Sequence, residues 1–435
     1  MRLLKLGLAS LLWLLAAGFI SFNQQDPESF SDDPATFVSQ LNTYFESQNN
    51  RATQLILKDF IANWEAGKFT QPVQQEIIKT SNLFLKQRIR PHMGYKDYLN
   101  CLNSFTETAG NQSILEWHQA MVQFIDAKKL KEMNAFLTNT TRLNLDKVMY
   151  KSNVNSWQFR RGNINYHYDS TLSVVLKDID IVCYSGRDSI IIKGTSGFLF
   201  PLSGRFEGKD GKVSWEKYGY NPQTVFSVLN TYKINLSQST YKADTVNLYL
   251  KDYFSQPLIG SLEDRVLAGV PLDKSVYPRF VSYTNDIGIK NLYKNIDYYG
   301  GLSMEGSRIL GTGNEFAEAT VFIKKGDDVL MRLNSKTFVI RPDRLVSQRA
   351  SAIIFHEADS IYHPGIQLRY IDESRELSLL RTGVGVAGSP FASSFHKVDM
   401  FVQGLYYTVG ADSMSFEMLR GLNRKETALF ESANF

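Results

Sequence analysis

Asp244-Thr245-Val246-Asn247-Leu248-Tyr249-Leu250-Lys251 alternates without a break. Val246, Leu248 and Leu250 fall on one side of an extended chain, and Thr245, Asn247, Tyr249 and Lys251 on the other. That is the period of a strand with one buried face. The stretch 212–216 repeats it, with Val213 and Trp215 inward. Turn signals punctuate such runs: Lys209-Asp210-Gly211-Lys212 reads as a tight hairpin and Lys325-Gly326-Asp327-Asp328 as another turn. Strands are therefore expected throughout 148–435, with one helix near 222–229.

Upstream the period changes. Asp32 and Asp33 precede Pro34, an N-cap followed by a tolerated first-turn proline, and Phe37, Leu41, Tyr44 and Phe45 then recur at helical spacing. Further stripes are Leu55, Ile56, Phe60, Ile61 and Trp64; Val73, Ile77, Ile78, Leu83 and Phe84; and Tyr95, Tyr98, Leu99, Leu102 and Phe105. Ser113 with Glu116 fits a capping box opening a helix over 115–125, and 130–143 supplies the last stripe. About six helices with short connections suggest antiparallel helical hairpins. The expected class is α+β: an all-α helical domain over 33–145, then a large, mostly antiparallel β region over 148–435, a stacked sheet, jellyroll or sandwich with room for two subdomains.

The first twenty-two residues stand apart. Arg2 and Lys5 precede an apolar run over 6–20, Ala16 and Gly18 are spaced like a signal-peptidase site, and a polar, acidic segment follows. The run is shorter than the roughly twenty residues that a helical membrane anchor needs. The reading is an export signal over 1–22, and no cysteine follows it for lipid attachment.

Net charge is +4, distributed as +2 over 1–22, −2 over 23–146 and +4 over the remainder. No segment clusters the Lys and Arg that phosphate binding demands, which excludes nucleic acid as a partner. With only Cys101 and Cys183, the chain has no disulfide framework, and two buried free thiols are expected.

Asp-hydroxyl-apolar triplets recur at Asp188-Ser189-Ile190, Asp244-Thr245-Val246, Asp359-Ser360-Ile361 and Asp412-Ser413-Met414. Their separations of 56, 115 and 53 positions are one, two and one multiples of about 55, as in stacked multi-strand units. A common strand-entry turn accounts for the same triplets. Ala243-Asp244-Thr245-Val246-Asn247-Leu248 and Ala358-Asp359-Ser360-Ile361-Tyr362 resemble the alanine-aspartate units of the OstA/LptA group of periplasmic lipopolysaccharide-transport proteins. The resemblance is confined to the β region; the small members of that group lack a long helical N-terminus. It implies an open β-jellyroll with a lipid-facing groove and a place in the cell envelope.

Four constellations invite chemistry. Gly383, Gly385 and Gly388 satisfy G-x-G-x-x-G, but no helical stripe follows to receive a pyrophosphate, so a bulged or tightly turned strand is expected. His356, Glu357 and His363, with Asp359, miss the zincin spacing because position 360 is Ser, and Pro364-Gly365 suggests that His363 sits at a turn. Ser393, Ser394, His396 and Asp399 lack a nucleophile elbow. Glu263 and Asp264 are neighbours on a strand, so their side chains diverge, and an ion pair is the ordinary explanation. No residue is assigned a catalytic, cofactor-binding or metal-ligating role.

The end of the chain, 417–435, reads as a mixed polar stretch with no closing strand, so a longer protein stays open. The functional expectation is an exported, non-enzymatic cell-envelope protein, periplasmic or associated with the outer envelope and its membrane, acting as a scaffold or binding platform. Its partner is an envelope protein or an extended ligand, lipid or glycan. The rivals are a lipid-handling β-groove, if the inward strand positions form an open trough, and a carbohydrate-active enzyme, if two acids and aromatic residues converge in one cleft.

Overall fold

The computed structural model describes residues 27–47, 50–254, 256–267, 269–314, 316–382, 385–418 and 427–433. The expected signal at 1–22 lies outside them, as does Gly383. The chain divides into two compact units, one made of residues 1–147 with 163–174, the other of 148–162 with 175–435.

The first unit holds α1 (Pro34–Glu46), α2 (Arg51–Glu65), α3 (Gln71–Lys86), α4 (Tyr95–Thr108), α5 (Asn111–Asp126) and α6 (Leu130–Asp146). Asp33 caps α1, its carboxylate accepting from the Thr36 amide at 2.8 Å, and Asn50 caps α2 in the same manner. The apolar stripes meet in an aromatic core, except that α2 buries Thr53 and Leu57 with Phe60 and Trp64 and turns Leu55 outward, against the expected stripe. Trp117 stacks on Phe136 with ring centroids 5.6 Å apart and lies 5.4 Å from Phe105. His118 is buried within it: Ile114 O lies 2.8 Å from its Nδ1 and the Tyr98 hydroxyl 2.8 Å from its Nε2, while burial pushes its pKa down to about 4. None of the described helices is long and apolar enough to cross a membrane.

The capping box does not form. α5 begins at Asn111 with Gly110 as its N-cap, leaving Ser113 and Glu116 inside the helix. They bond instead to the strand Ile164–Asp169: the Tyr166 amide donates to Ser113 Oγ (3.1 Å) and the Tyr168 amide to Glu116 Oε2 (3.0 Å). Two amides on one edge of a strand thus find acceptors one helical turn apart. Tyr166 is buried, its ring 4.9 Å from Phe105 and its hydroxyl donating to Asn144 Oδ1 at 2.8 Å.

The strands are β1 (Val148–Lys151), β2 (Ser156–Arg160), β3 (Ile164–Asp169) and β4 (Thr171–Ser185), then three units of one topology. The first runs through β5 (Asp188–Phe200), β6 (Arg205–Lys209), β7 (Lys212–Ser214), β8 (Val225–Leu229), β9 (Thr231–Asn235) and β10 (Thr240–Leu250). β6 pairs with the second half of β5 and β7 with Lys193 nearer its start; β8 pairs with the second half of β10 and β9 with its first. β6 then joins β9, and β7 joins β8, all antiparallel. Two ladders result, bridged by long strands that serve both. Gly194 at φ +64° marks the changeover in β5, and a bulge between Ala243 and Val246 does so in β10.

β11 (Leu258–Arg265), β12 (Arg279–Ser282) and β13 (Ile287–Tyr293) lead to the second unit. There β14 (Ile296–Glu305) and β19 (Arg344–His356) are the long strands, and β15 (Arg308–Thr312), β16 (Ala319–Lys325), β17 (Asp328–Ser335) and β18 (Thr337–Arg341) repeat the roles of β6 to β9. The third opens with β20 (Asp359–Ile371) and continues through β21 (Glu376–Leu380), β22 (Phe391–Ser393), β23 (Val398–Phe401) and β24 (Gly404–Thr408). Its closing long strand is split into β25 (Ser415–Glu417) on β24 and β26 (Leu429–Ser432) on β23. A strand therefore stands where the sequence reading expected none.

The repeat is real but differs from a 55-residue period, since the units begin at 188, 296 and 359. Asp188, Asp297 and Asp359 each follow by two residues a turn residue of positive φ: Gly186, Asn295 and Glu357. Each carboxylate ties its opening strand to the second short strand or the turn after it, through Lys217 (3.0 Å), Lys324 (2.8 Å) and Ser394 (2.8 Å). Asp244 lies at the β10 bulge and Asp412 outside any strand, so those two triplets belong to no register.

Two further turn readings divide. Lys325-Gly326-Asp327-Asp328 closes the β16–β17 hairpin, with Gly326 at φ +67°. Lys209-Asp210-Gly211-Lys212 does not close a hairpin: β6 and β7 both pair with β5, and the turn carries the chain from one ladder to the other. Residues 225–229 form β8 rather than a helix, because β-branched and aromatic side chains follow an Asn221 turn.

Inward positions are packed shut: Ile192, Leu199, Phe206, Val246, Leu248, Val321 and Leu333 are fully buried. Gly208 shows how tight the packing is. A Cβ there would lie 2.3 Å from the ring of Tyr232, whose hydroxyl is 2.6 Å from Thr195 Oγ1. Gly208→Ala is expected to cost about 1–3 kcal/mol through overpacking, seen as a lower urea midpoint. An unchanged midpoint would mean that the ring has room to move. Cys101 and Cys183 are both buried and free.

Candidate functional site

Three segments of the first β unit and its neighbour build a cleft of roughly 340 Å3. The opening of β5 brings Arg187, Asp188 and Lys193; the chain after β7 brings Trp215, Glu216 and Lys217; β11 brings Asp264. Asp188 accepts from the Ser189 amide at 2.7 Å and holds Lys217 Nζ at 3.0 Å from each carboxylate oxygen. Lys217 sits in a single 3₁₀ turn, Glu216–Tyr218, that ends on Gly219 at φ +84°. Tyr218 pins this turn, its hydroxyl 2.9 Å from Ser275 Oγ.

Alternation along β11 places Gly260, Leu262 and Asp264 inward. Glu263 points out and pairs with Lys242 at 3.3 Å, whereas Asp264 is only 3% exposed. The two neighbours do diverge, and the ion pair belongs to Glu263 alone. Trp215, buried beneath the cleft, donates its Nε1 to Asp264 Oδ2 at 2.9 Å, and the Arg265 amide donates to Oδ1 at 2.8 Å. Burial outweighs these two donors and the charge of Lys217, and the nearby Asp188 charge adds to it, so the Asp264 pKa is pushed up to about 6. Tyr241 is the register partner of Asp264, and its buried hydroxyl has no hydrogen-bond partner among the described residues.

No protein-family model, curated protein or solved structure matches this chain.

The other constellations resolve into structure. His363 lies inside β20 rather than at a turn, where the pairing with β19 is irregular. Its Nδ1 accepts from the Gly365 amide at 3.0 Å, Ser389 O lies 2.9 Å from its Nε2, and burial pushes its pKa down to about 4. His356 packs edge-on against Phe395. No group of three His, Cys, Asp or Glu that could hold a metal ion occurs among the described residues. Gly385 and Gly388 bound a short 3₁₀ turn, not a strand as expected. Ser394 Oγ bonds Asp359 and Ser393 Oγ accepts from the His396 amide (3.3 Å), which commits both hydroxyls to turns.

Sequence reasoning placed Trp215 inward and separated Asp264 from Glu263 but did not join them. The available signal was an acid at an inward position of an alternating strand. Lys217 carried no signal of its own.

Proposed function

We propose that this chain is an exported, non-enzymatic cell-envelope protein whose β units form a binding platform for an extended strand of an envelope partner. The split closing strand of the third unit carries this reading. In the first unit β10 is covered along its outer edge by β11, and in the second β19 is covered by β20. No described strand covers β25 or β26 in that way, and all four side chains of β26 are exposed, with Leu429 at 51% and Phe430 at 57%. An apolar strand edge of that kind favours augmentation by another backbone. The packed inward rows favour a platform over a lipid trough, so the lipid-handling function implied by the OstA/LptA resemblance ranks second. Export rests on the charge and apolar pattern of 1–22.

A photo-cross-linking residue at position 429, expressed in the native host, tests both parts. The expected result is a shortened mature chain in the envelope fraction, cross-linked to one defined protein. Phe430→Lys should remove that product while moving the unfolding free energy by less than about 0.5 kcal/mol, since the side chain is exposed. Retention in the cytosol with Met1 intact would refute export, and cross-links to lipid alone would refute the strand platform.

A further inference from the structure

We infer that the cleft between β5, the Glu216–Tyr218 turn and β11 binds a neutral, polyhydroxylated ligand, a saccharide unit of about one ring. This goes beyond the strand platform, uses different residues, and stands or falls separately.

Charge is the first argument. Arg187, Lys193 and Lys217 face Asp188, Glu216 and Asp264 around the cleft, so the lining is close to neutral when every group is ionised. A strongly anionic or cationic ligand would meet as much repulsion as attraction. The lining is nonetheless dense in hydrogen-bonding groups, with cationic donors, carboxylate acceptors and the hydroxyls of Ser189 and Ser214, which serve as either. A ligand whose every polar group both donates and accepts suits such a wall, and sugar hydroxyls do so.

Unfilled capacity is the second argument. An ionised carboxylate offers about four acceptor positions. The hydrogen bonds of buried Asp264 are those from Trp215 Nε1 and the Arg265 amide, one on each oxygen. Both oxygens therefore retain a lone pair in a water-poor place where each further donor is worth more than at the surface. The repeat isolates what is special here. Asp188 has counterparts in Asp297 and Asp359, which marks its ion pair as part of the fold. Asp264, by contrast, lies on the linking strand β11, outside the repeated units, and so answers to a local requirement.

Size is the third. At roughly 340 Å3 the cleft is at the small end of ligand pockets, and the exposed side chain of Ile191, backed by buried Ile190 and Trp215, gives it one apolar patch that a sugar ring covers with its C–H face.

Trp215 reports on the site directly. The full chain labelled with 5-fluorotryptophan gives its Trp215 fluorine resonance by difference with Trp215→Phe. Titration with cellobiose, maltose and N,N′-diacetylchitobiose should move that resonance saturably for at least one of them while the other tryptophan signals stay put. Asp264→Asn should weaken the response tenfold or more, as expected for losing a charge-assisted acceptor. Lys217→Met should also weaken it, and its unlabelled spectrum would show whether the fold is kept. No shift with any of the three sugars, or a shift equally strong in Asp264→Asn, would overturn the inference.

Discussion

Asp264→Asn should make the protein more stable well above pH 6 and no more stable below about pH 3.8. The carboxyl has its ordinary value near 3.8 in the unfolded chain and about 6 in the folded one. Between those values the native state binds the proton that the unfolded state has lost, so unfolding becomes easier as pH rises. The stability contributed by the neutral acid is fully present below 3.8 and lost as pH climbs through 6. A shift of that size corresponds to a cost on the order of 3 kcal/mol above the native pKa. The charged groups facing Asp264 are Asp188 and Lys217 across the cleft, and Tyr241 is its neighbour on β10. Asn keeps one acceptor for Trp215 or the Arg265 amide and carries no charge to desolvate. Urea unfolding of both proteins across that range should therefore give a gap that opens from near zero to a plateau. A gap independent of pH would show that the Asp264 carboxyl titrates alike in the folded and unfolded chain.

Trp117→Ala should be the most damaging single change in the helical unit, at about 3–5 kcal/mol. Trp117 is fully buried, packs on Phe105, Phe136 and Tyr98, and donates its Nε1 to Thr140 Oγ1 at 3.2 Å. Truncation opens a cavity among rigid rings and leaves a buried hydroxyl without its donor. Leu55→Ala on α2 is the matched control, since Leu55 is 58% exposed and its loss should register within about 0.5 kcal/mol. Comparable losses from the two would mean that the aromatic cluster does not hold the helices together.

Much of this architecture was legible because it is local. The stripes ending at Phe45, Trp64 and Phe105 and the alternation at Val246, Leu248 and Leu250 are periodicities of the backbone itself. What failed was what depends on a partner elsewhere. Ser113 and Glu116 have the spacing of a capping box, yet their acceptors serve amides some fifty residues on. Asp210-Gly211 has hairpin chemistry with φ of +60° and +117°, but long-range pairing with β5 decides that it links two ladders. Of the repeat only Asp188 and Asp359 were visible, since Asp297 is followed by Tyr298 and lacks the hydroxyl residue of the triplet, and topology recurs among the units by pairing rather than by side-chain identity. The candidate site was least legible: Asp188, Trp215 and Asp264 sit on three elements, and only packing brings them together.

The loan of residues 163–174 to the helical unit has a consequence for how the protein is born. During synthesis the six described helices emerge before the strand that completes their unit, and the intervening residues 148–162 belong to the other unit. Until Tyr166 and Tyr168 leave the ribosome, Ser113 and Glu116 have no amides to receive and Asn144 has no phenol to accept. The helical unit is therefore complete in the chain only after β1 and β2 have been made, and a cut at Lys147, where the sequence changes texture, would sever a unit rather than release one.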